Sequence, residues 1–253
     1  MEYFVEKGSI VREIWGTGDS ILFIFAGASS EFALNKAVDW LYFTGKLPSD
    51  PLGRLFSTVT YARDIVFSEN KKAIEAIDRI TSIHSAVEKN RKSSIPDWAY
   101  RDVLFMLIHY SIASFELLQR KLTAEEKEEV FNVFYRFGAQ MNLKELPKNY
   151  SEWMVMRVDH LNNNLEKSIF TVDLYKQYKK HLGIIRYRLL LESQILVVPS
   201  QVKKLLGLGK FSLISPLLIF YKLSRKLKMD WFLKSLIMPH NYKEQIKALD
   251  TLP

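Results

Sequence analysis

The stretch from Ser49 to Phe67 reads SDPLGRLFSTVTYARDIVF. Its opening is a helix start. Asp50 is a good N-cap, because its carboxylate can accept from first-turn N–H groups, and Pro51 suits the first helical position. Within the predicted helix, Arg54, Ser57 and Thr58 fall at i, i+3 and i+4 and so share one face, which Tyr61 extends by a further turn. One helix therefore lines up a cation, two hydroxyls and a phenol.

The helical period continues in both directions. Upstream, Glu31 to Phe43 has apolar residues at helical spacing and stops at Gly45, a plausible residue beyond a C-cap. Downstream, Ser68-Glu69 begins a helix reaching about Lys89, and Pro96-Asp97 begins a long one reaching about Arg120. Thr123 and Glu126 form a capping box that opens a helix ending near Gly138. After a break at Leu146-Pro147, helices are predicted from Ser151 to about Glu166 and from Thr171 to about His181. Residues 186–196, 200–207, 212–227 and 230–237 read as further helices, broken by Pro199, Gly207, Gly209, Pro216 and Pro239. A short β piece is read at Ile195 to Val198. With no repeat or linker, the pattern predicts an all-α fold, one multi-helix domain over 1–253. A basic C-terminal subdomain, 166–253, is expected to pack on the first part.

Composition narrows the function. The chain has 253 residues, of which 48% are apolar and 25% charged, ordinary values for a globular protein. Only 10 Gly and 8 Pro are present, too few for the turns of an all-β architecture. The absence of Cys excludes disulfides, Cys-zinc sites, iron–sulfur clusters, Cys nucleophiles and thiolate-ligated haem. The first residues lack the charged and apolar regions of a signal peptide. The best apolar run, Phe211 to Leu223, is too short for a membrane span and contains Pro216 and Lys222. The cytoplasm is the expected location.

The net charge of +8 is concentrated. Residues 166–228 carry thirteen Lys and Arg against three Asp and Glu, whereas residues 1–165 carry twenty against twenty-two. Such a segment is either a solvated basic face or a contact for an anionic partner. Lysine clusters among Leu, Ile and Phe point to peripheral contact with anionic lipid. No nucleic-acid partner is expected, because no recognised reading module is present.

The five histidines are His84, His109, His160, His181 and His240. None has Glu three residues before it, and no two are four apart, which removes the carboxylate di-iron and His-Glu-x-x-His zinc patterns. No Gly-x-Ser-x-Gly elbow or phosphate loop exists, and Gly16-Thr17-Gly18 is a lone Gly-x-Gly. His84 lies in an apolar stripe with Ile77, Ile80 and Val87. It is either a packed core residue or a neutral imidazole offered to a metal. With thiolate and multi-His cages absent, single axial ligation of haem iron is the metal role that fits best. His109, beside Phe105, Ile108 and Ile112, is a second candidate that reads better as core. His160, in a polar run ending at Asn162 to Asn164, reads as surface, and His181 and His240 read as helix ends.

Together, Asp50-Pro51-Leu52-Gly53-Arg54-Leu55-Phe56-Ser57-Thr58 and the later Ile83-His84-Ser85-Ala86-Val87 resemble the latex-clearing-protein (rubber oxygenase) and MpaB-like oxygenase family. Its pattern is Asp-Pro-x-x-Arg-Leu-x-x-Thr, then an Ile/Val-His-x-x-Val box about 30 residues after the Arg. Ser114-Phe115-Glu116, Leu122 to Glu126, and Gly138 through Leu146-Pro147 to Tyr150 add to the likeness, which covers roughly residues 10–165. The resemblance implies a globin-like helical core binding haem b, with His84 as proximal iron ligand and Arg54 and Thr58 near the haem. It also implies O2-dependent cleavage of carbon–carbon double bonds in isoprenoid chains. Rubber-cleaving members carry a distal lysine where this chain has Ser57, so the distal iron position is expected open or water-filled. A family Trp-Val-His is replaced by Asp102-Val103-Leu104. Asp39 is the nearest carboxylate in register to the family's base. The expectation is a haem b-dependent oxygenase acting with O2 on a hydrophobic, isoprenoid or lipid-like molecule, with Arg54, Ser57 and Thr58 around the reacting side. Two alternatives are a non-enzymatic haem or apolar-ligand binder and a helical interaction domain.

Overall fold

The computed structural model describes residues 2–43, 45, 49–216, 218 and 221. No strand occurs among the described residues, and the helices that frame the site are α1 Ile10–Trp15, α2 Gly18–Leu34, α3 Asp39–Phe43, α4 Pro51–Phe67, α5 Asn70–Arg91, α6 Asp97–Leu118, α7 Ala124–Gln140, α8 Tyr150–Asn163, α9 Ile169–Val197 and α10 Ser200–Leu206. The protein is all-α, as its sequence pattern predicts. No described helix is long and apolar enough to cross a membrane.

Local chemistry sets most helix starts. Asp50 Oδ1 accepts from Gly53 N at 2.9 Å, with Pro51 at the first helical position of α4. The Thr123–Glu126 capping box is formed in both directions, at 3.2 Å and 2.9 Å. Ser168 and Thr171 form a second capping box at the start of α9, and the Asn149 side chain caps α8 by accepting from Glu152 N.

Two expectations are corrected, and a third falls largely outside the described residues. The helix expected over Glu31 to Phe43 is split, because α2 ends at Leu34 and Asn35 leaves helical geometry (φ −63, ψ 130). The Asn35 side chain instead accepts from Ala37 N at 2.8 Å and donates to Asp102 at 3.3 Å. An Asn side chain that bonds locally competes with helix propagation. The β piece at Ile195 to Val198 is the end of α9, which runs on through a kink at Gly183. That glycine has φ 72, ψ 172, a conformation open to a residue without Cβ. Of the expected helices over 212–227 and 230–237, residues 215, 216, 218 and 221 are helical; the other positions, apart from the non-helical 212–214, lie outside the described residues, as does His240.

The helices α2 and α6 form the centre. Both are buried around most of their circumference, and α2 packs most extensively on α6 and α9. Their approach is close at Gly27, where a Cβ would stand 2.2 Å from the Tyr110 ring. Around this pair the main core gathers Trp15, Phe105, Phe115 and Phe131, with Trp15 Nε1 donating to Ser111 Oγ at 3.0 Å. Burying side chains of this size stabilises the fold by roughly 1.5–3 kcal/mol each. A second cluster, Ala33, Val38, Leu174 and Tyr178, joins α9 to α2 and α3. The N-terminal segment fastens the α4–α5 turn through Phe4 N to Ser68 O (3.2 Å) and Asn70 N to Glu2 O (2.9 Å). That turn sets α4 and α5 side by side and so positions the candidate site.

Candidate functional site

On α4, the structure brings Arg54, Ser57 and Thr58 together. Arg54 Nη1 donates to Thr58 Oγ1 at 3.0 Å and more weakly to Ser57 Oγ at 3.4 Å. Both hydroxyls donate back to the Arg54 carbonyl, at 3.1 Å and 2.8 Å, which fixes their rotamers. Burial lowers the pKa of the guanidinium, and Tyr61 opposes that shift. Among the described residues no carboxylate pairs with Arg54. A largely desolvated guanidinium with only hydroxyl partners keeps N–H donors available for an anionic group.

On α5, the stripe read from the sequence runs inward. Ile77 is fully buried, while Ile80, His84 and Val87 are half-buried. His84 stands within electrostatic reach of Arg54. Burial first, and Arg54 second, lower its pKa, so the imidazole is neutral near pH 7. Its ring lies against the Ile80 carbonyl one turn back, and Nδ1 is buried without a well-formed hydrogen bond. A neutral imidazole keeps one ring nitrogen lone pair, the form a metal requires.

Two neighbours orient this ring. Tyr100 on α6 meets it edge-on, with centroids 5.2 Å apart and planes at 90°. The Tyr100 hydroxyl donates to Glu88 Oε1 at 3.3 Å, and Ile95 N donates to the same oxygen at 2.7 Å. Glu88 thus ties α5 to the start of α6 around the imidazole. Nothing in the linear pattern pointed to Tyr100 or Glu88, since the contact is tertiary. Nearby, Arg91 pairs with Asp39 at 2.5 Å and stacks over Trp40 at 4.0 Å, fastening α3 to the end of α5. Asp39 therefore stands in an ion pair. Among the described residues no group of three or more His, Asp or Glu is arranged to hold a metal.

A second polar centre lies in the middle of the helices. Glu31 on α2 is 0% exposed and receives both guanidinium arms of Arg157 on α8, Nη2 reaching Oε2 at 2.6 Å and Nη1 reaching Oε1. Tyr110 donates to Glu31 Oε2 at 2.8 Å, and His160 Nε2 lies 3.0 Å from Oε1. His160 Nδ1 lies 2.6 Å from Asp102 Oδ1, and Asn35 and Asn164 donate to the other Asp102 oxygen. His160 is thus buried at 3% exposure, not at the surface as its polar neighbours suggest. Burial opposes ionisation of Glu31, but Arg157 outweighs it and holds this carboxyl well below the usual range. Burial likewise opposes charge on His160, yet its bonds to Asp102 and Glu31 raise the pKa. Asp102 is raised by burial, against the pull of His160. Arg157 and, when it is protonated, His160 place positive charge against the two carboxyl groups, and the group joins α2, α6 and α8.

His109 is the remaining imidazole of the core. Burial lowers its pKa to about 4; its ring lies against the Val197 carbonyl, and Nε2 is buried without a hydrogen-bond partner. It meets Tyr110 edge-on at 4.9 Å, which makes it part of the packing beside the Glu31 group. His181 is exposed at the end of the first arm of α9.

The fold and site define an all-helical protein in which a half-buried imidazole stands within electrostatic reach of an arginine that, among the described residues, has no carboxylate partner. The family model described as ER-bound oxygenase mpaB/B'/rubber oxygenase, catalytic domain, matches residues 15–215, and the chain belongs to this family. It is an oxygenase-family catalytic domain, and the match extends beyond residue 165 to take in α9 and α10. Against curated proteins and against solved structures, the chain has no significant match.

Proposed function

We propose that the protein is a haem b-dependent oxygenase that acts with O2 on a hydrophobic, isoprenoid or lipid-like molecule. The observation that carries this reading is that packed α4 and α5 set the half-buried His84, held edge-on by Tyr100, within electrostatic reach of Arg54, whose hydrogen-bond partners are the hydroxyls of Ser57 and Thr58. A cofactor with an axial coordination site and acidic substituents needs a neutral imidazole and an unpaired cation, and these two residues supply them.

Haem iron, when bound, supplies the binding and activation of O2. The chain's own residues do the rest. His84 would hold the iron, its ring positioned by the edge-on contact with Tyr100. Arg54 would supply positive charge, to an acidic substituent of the cofactor or to charge developing in the reaction. Thr58 and Ser57 keep the guanidinium in place. Ser57 offers a hydroxyl and no amine, so it would not compete as an amine ligand for a bound iron.

The test is oxygen uptake by the haem-loaded protein with an isoprenoid alkene and with a saturated analogue. Uptake with the alkene, reduced about 100-fold or more in Arg54→Ala, is the expected result. A haem-loaded protein that consumes no O2 with any apolar alkene is a binding protein and not an oxygenase.

A further inference from the structure

We propose that the kinked helix α9 is a docking surface for an anionic lipid membrane, with the kink at Gly183 as its inserting tip. The first arm of α9 presents one outward stripe. Ile169 and Val172, 80% and 44% exposed, are followed on that stripe by Lys176, Lys179 and Lys180, at spacings that keep all five within one helical face. The stripe ends at Gly183, whose φ of 72 breaks the helix. Directly after the break come Ile184 and Ile185, 69% and 78% exposed. Two adjacent, uncovered isoleucines at a bend, with lysines before them and exposed Arg188 after, join an apolar wedge to a cationic collar.

The inner side of α9 makes this tip firm. Tyr178 is buried against α2 and α3, and Leu182, Tyr187 and Leu190 pack on the same cluster on both sides of the kink. The acidic side chains of α9 are engaged within the protein: Asp173 accepts from Tyr42 at 3.0 Å, and Glu192 accepts from Ser212 and Leu213 N at 2.8 and 2.6 Å. The exposed stripe is therefore positive and aliphatic. Aliphatic insertion plus attraction to anionic headgroups is how peripheral proteins hold to a bilayer surface.

The charge argues against other occupants. A two-fold contact between copies through this face would set lysine stripes against each other. A single-stranded nucleic acid would ask for aromatic stacking platforms, and the exposed apolar residues of this face are isoleucine and valine. The lipid surface also suits the proposed oxygenase reading, since α9 packs on α4. The docking itself does not depend on that reading.

The experiment is co-sedimentation of the full chain with phosphatidylserine-rich vesicles and with pure phosphatidylcholine vesicles, at low and high salt. Binding to the anionic vesicles, weakened by salt and nearly absent on phosphatidylcholine, is expected. Replacing Lys176, Lys179 and Lys180 together by Gln should weaken it about a hundredfold, at about fivefold per lysine. Ile184→Ser with Ile185→Ser should weaken it about tenfold or more. Both variants change exposed residues, and unchanged circular dichroism and thermal midpoints verify that they fold. Binding absent from the wild type, or unaltered in both variants, overturns the proposal. So does an isoleucine variant that loses self-association or RNA binding in place of lipid binding. Oxygen uptake with a detergent-dispersed substrate reads the oxygenase proposal separately.

Discussion

Removing Arg157 should reveal how much of the fold hangs on the buried charge group. Glu31 is completely buried and takes two of its hydrogen bonds from this one guanidinium. In Arg157→Leu the carboxylate keeps only Tyr110 at 2.8 Å and His160 at 3.0 Å. Leaving a buried charge without its partner costs about 3–5 kcal/mol, far more than the same contact contributes at a surface. For a chain of this size that corresponds to about 6–20 °C in Tm. Glu31→Gln alone should also be costly, since it strands Arg157 and halves the partners of His160. The double variant Glu31→Gln/Arg157→Leu should recover part of the loss, because no unpaired charge remains, giving a coupling of about 2 kcal/mol or more in the cycle. Urea unfolding of the four proteins at neutral pH measures this. If each single change cost under about 1 kcal/mol and the effects simply added, the reasoning would be refuted.

Two further outcomes follow from the same core. His160 has a folded pKa raised above its ordinary 6.5, so its contribution is complete below 6.5 and is lost as pH rises through the folded value. Unfolding free energy should therefore decline above neutrality, at a limiting slope of about 1.4 kcal/mol per pH unit, and the decline should vanish in His160→Gln. A flat profile from neutral to mildly alkaline pH in the wild type would contradict the assigned charge on His160. In Gly27→Ala the new methyl must displace the Tyr110 ring, since the Cβ would meet it at 2.2 Å. A loss of about 1–3 kcal/mol is expected by denaturant titration, and a neutral effect would show that α2 and α6 have slack.

Local features were legible in the sequence and distant ones were not. The N-cap at Asp50 and the box at Thr123–Glu126 are bonds between residues three apart, so spacing alone reveals them. The Arg54, Ser57, Thr58 arrangement is likewise one turn of one helix. Asn35 was missed as a helix stop because the partner that fixes its side chain, Asp102, is on α6. The Glu31 group was missed for the same reason: Arg157 and His160 lie 126 and 129 residues away in the chain. A signal for it did exist. Trp153, Arg157 and His160 recur at i, i+4 and i+7, an inward stripe whose polar members were masked by the Asp and Asn residues between them. The role of Tyr100 at His84 had no such signal, since a ring-edge contact between two helices leaves no period in either.

The central claim is that His84 binds haem iron. The direct measurement is the visible absorption spectrum of the protein purified from haem-supplemented cells, beside His84→Ala and His109→Ala. The account predicts a Soret band in the wild type that is kept in His109→Ala and lost or shifted in His84→Ala. A colourless wild type that takes up no added hemin, or a band that His84→Ala leaves unchanged, would contradict it.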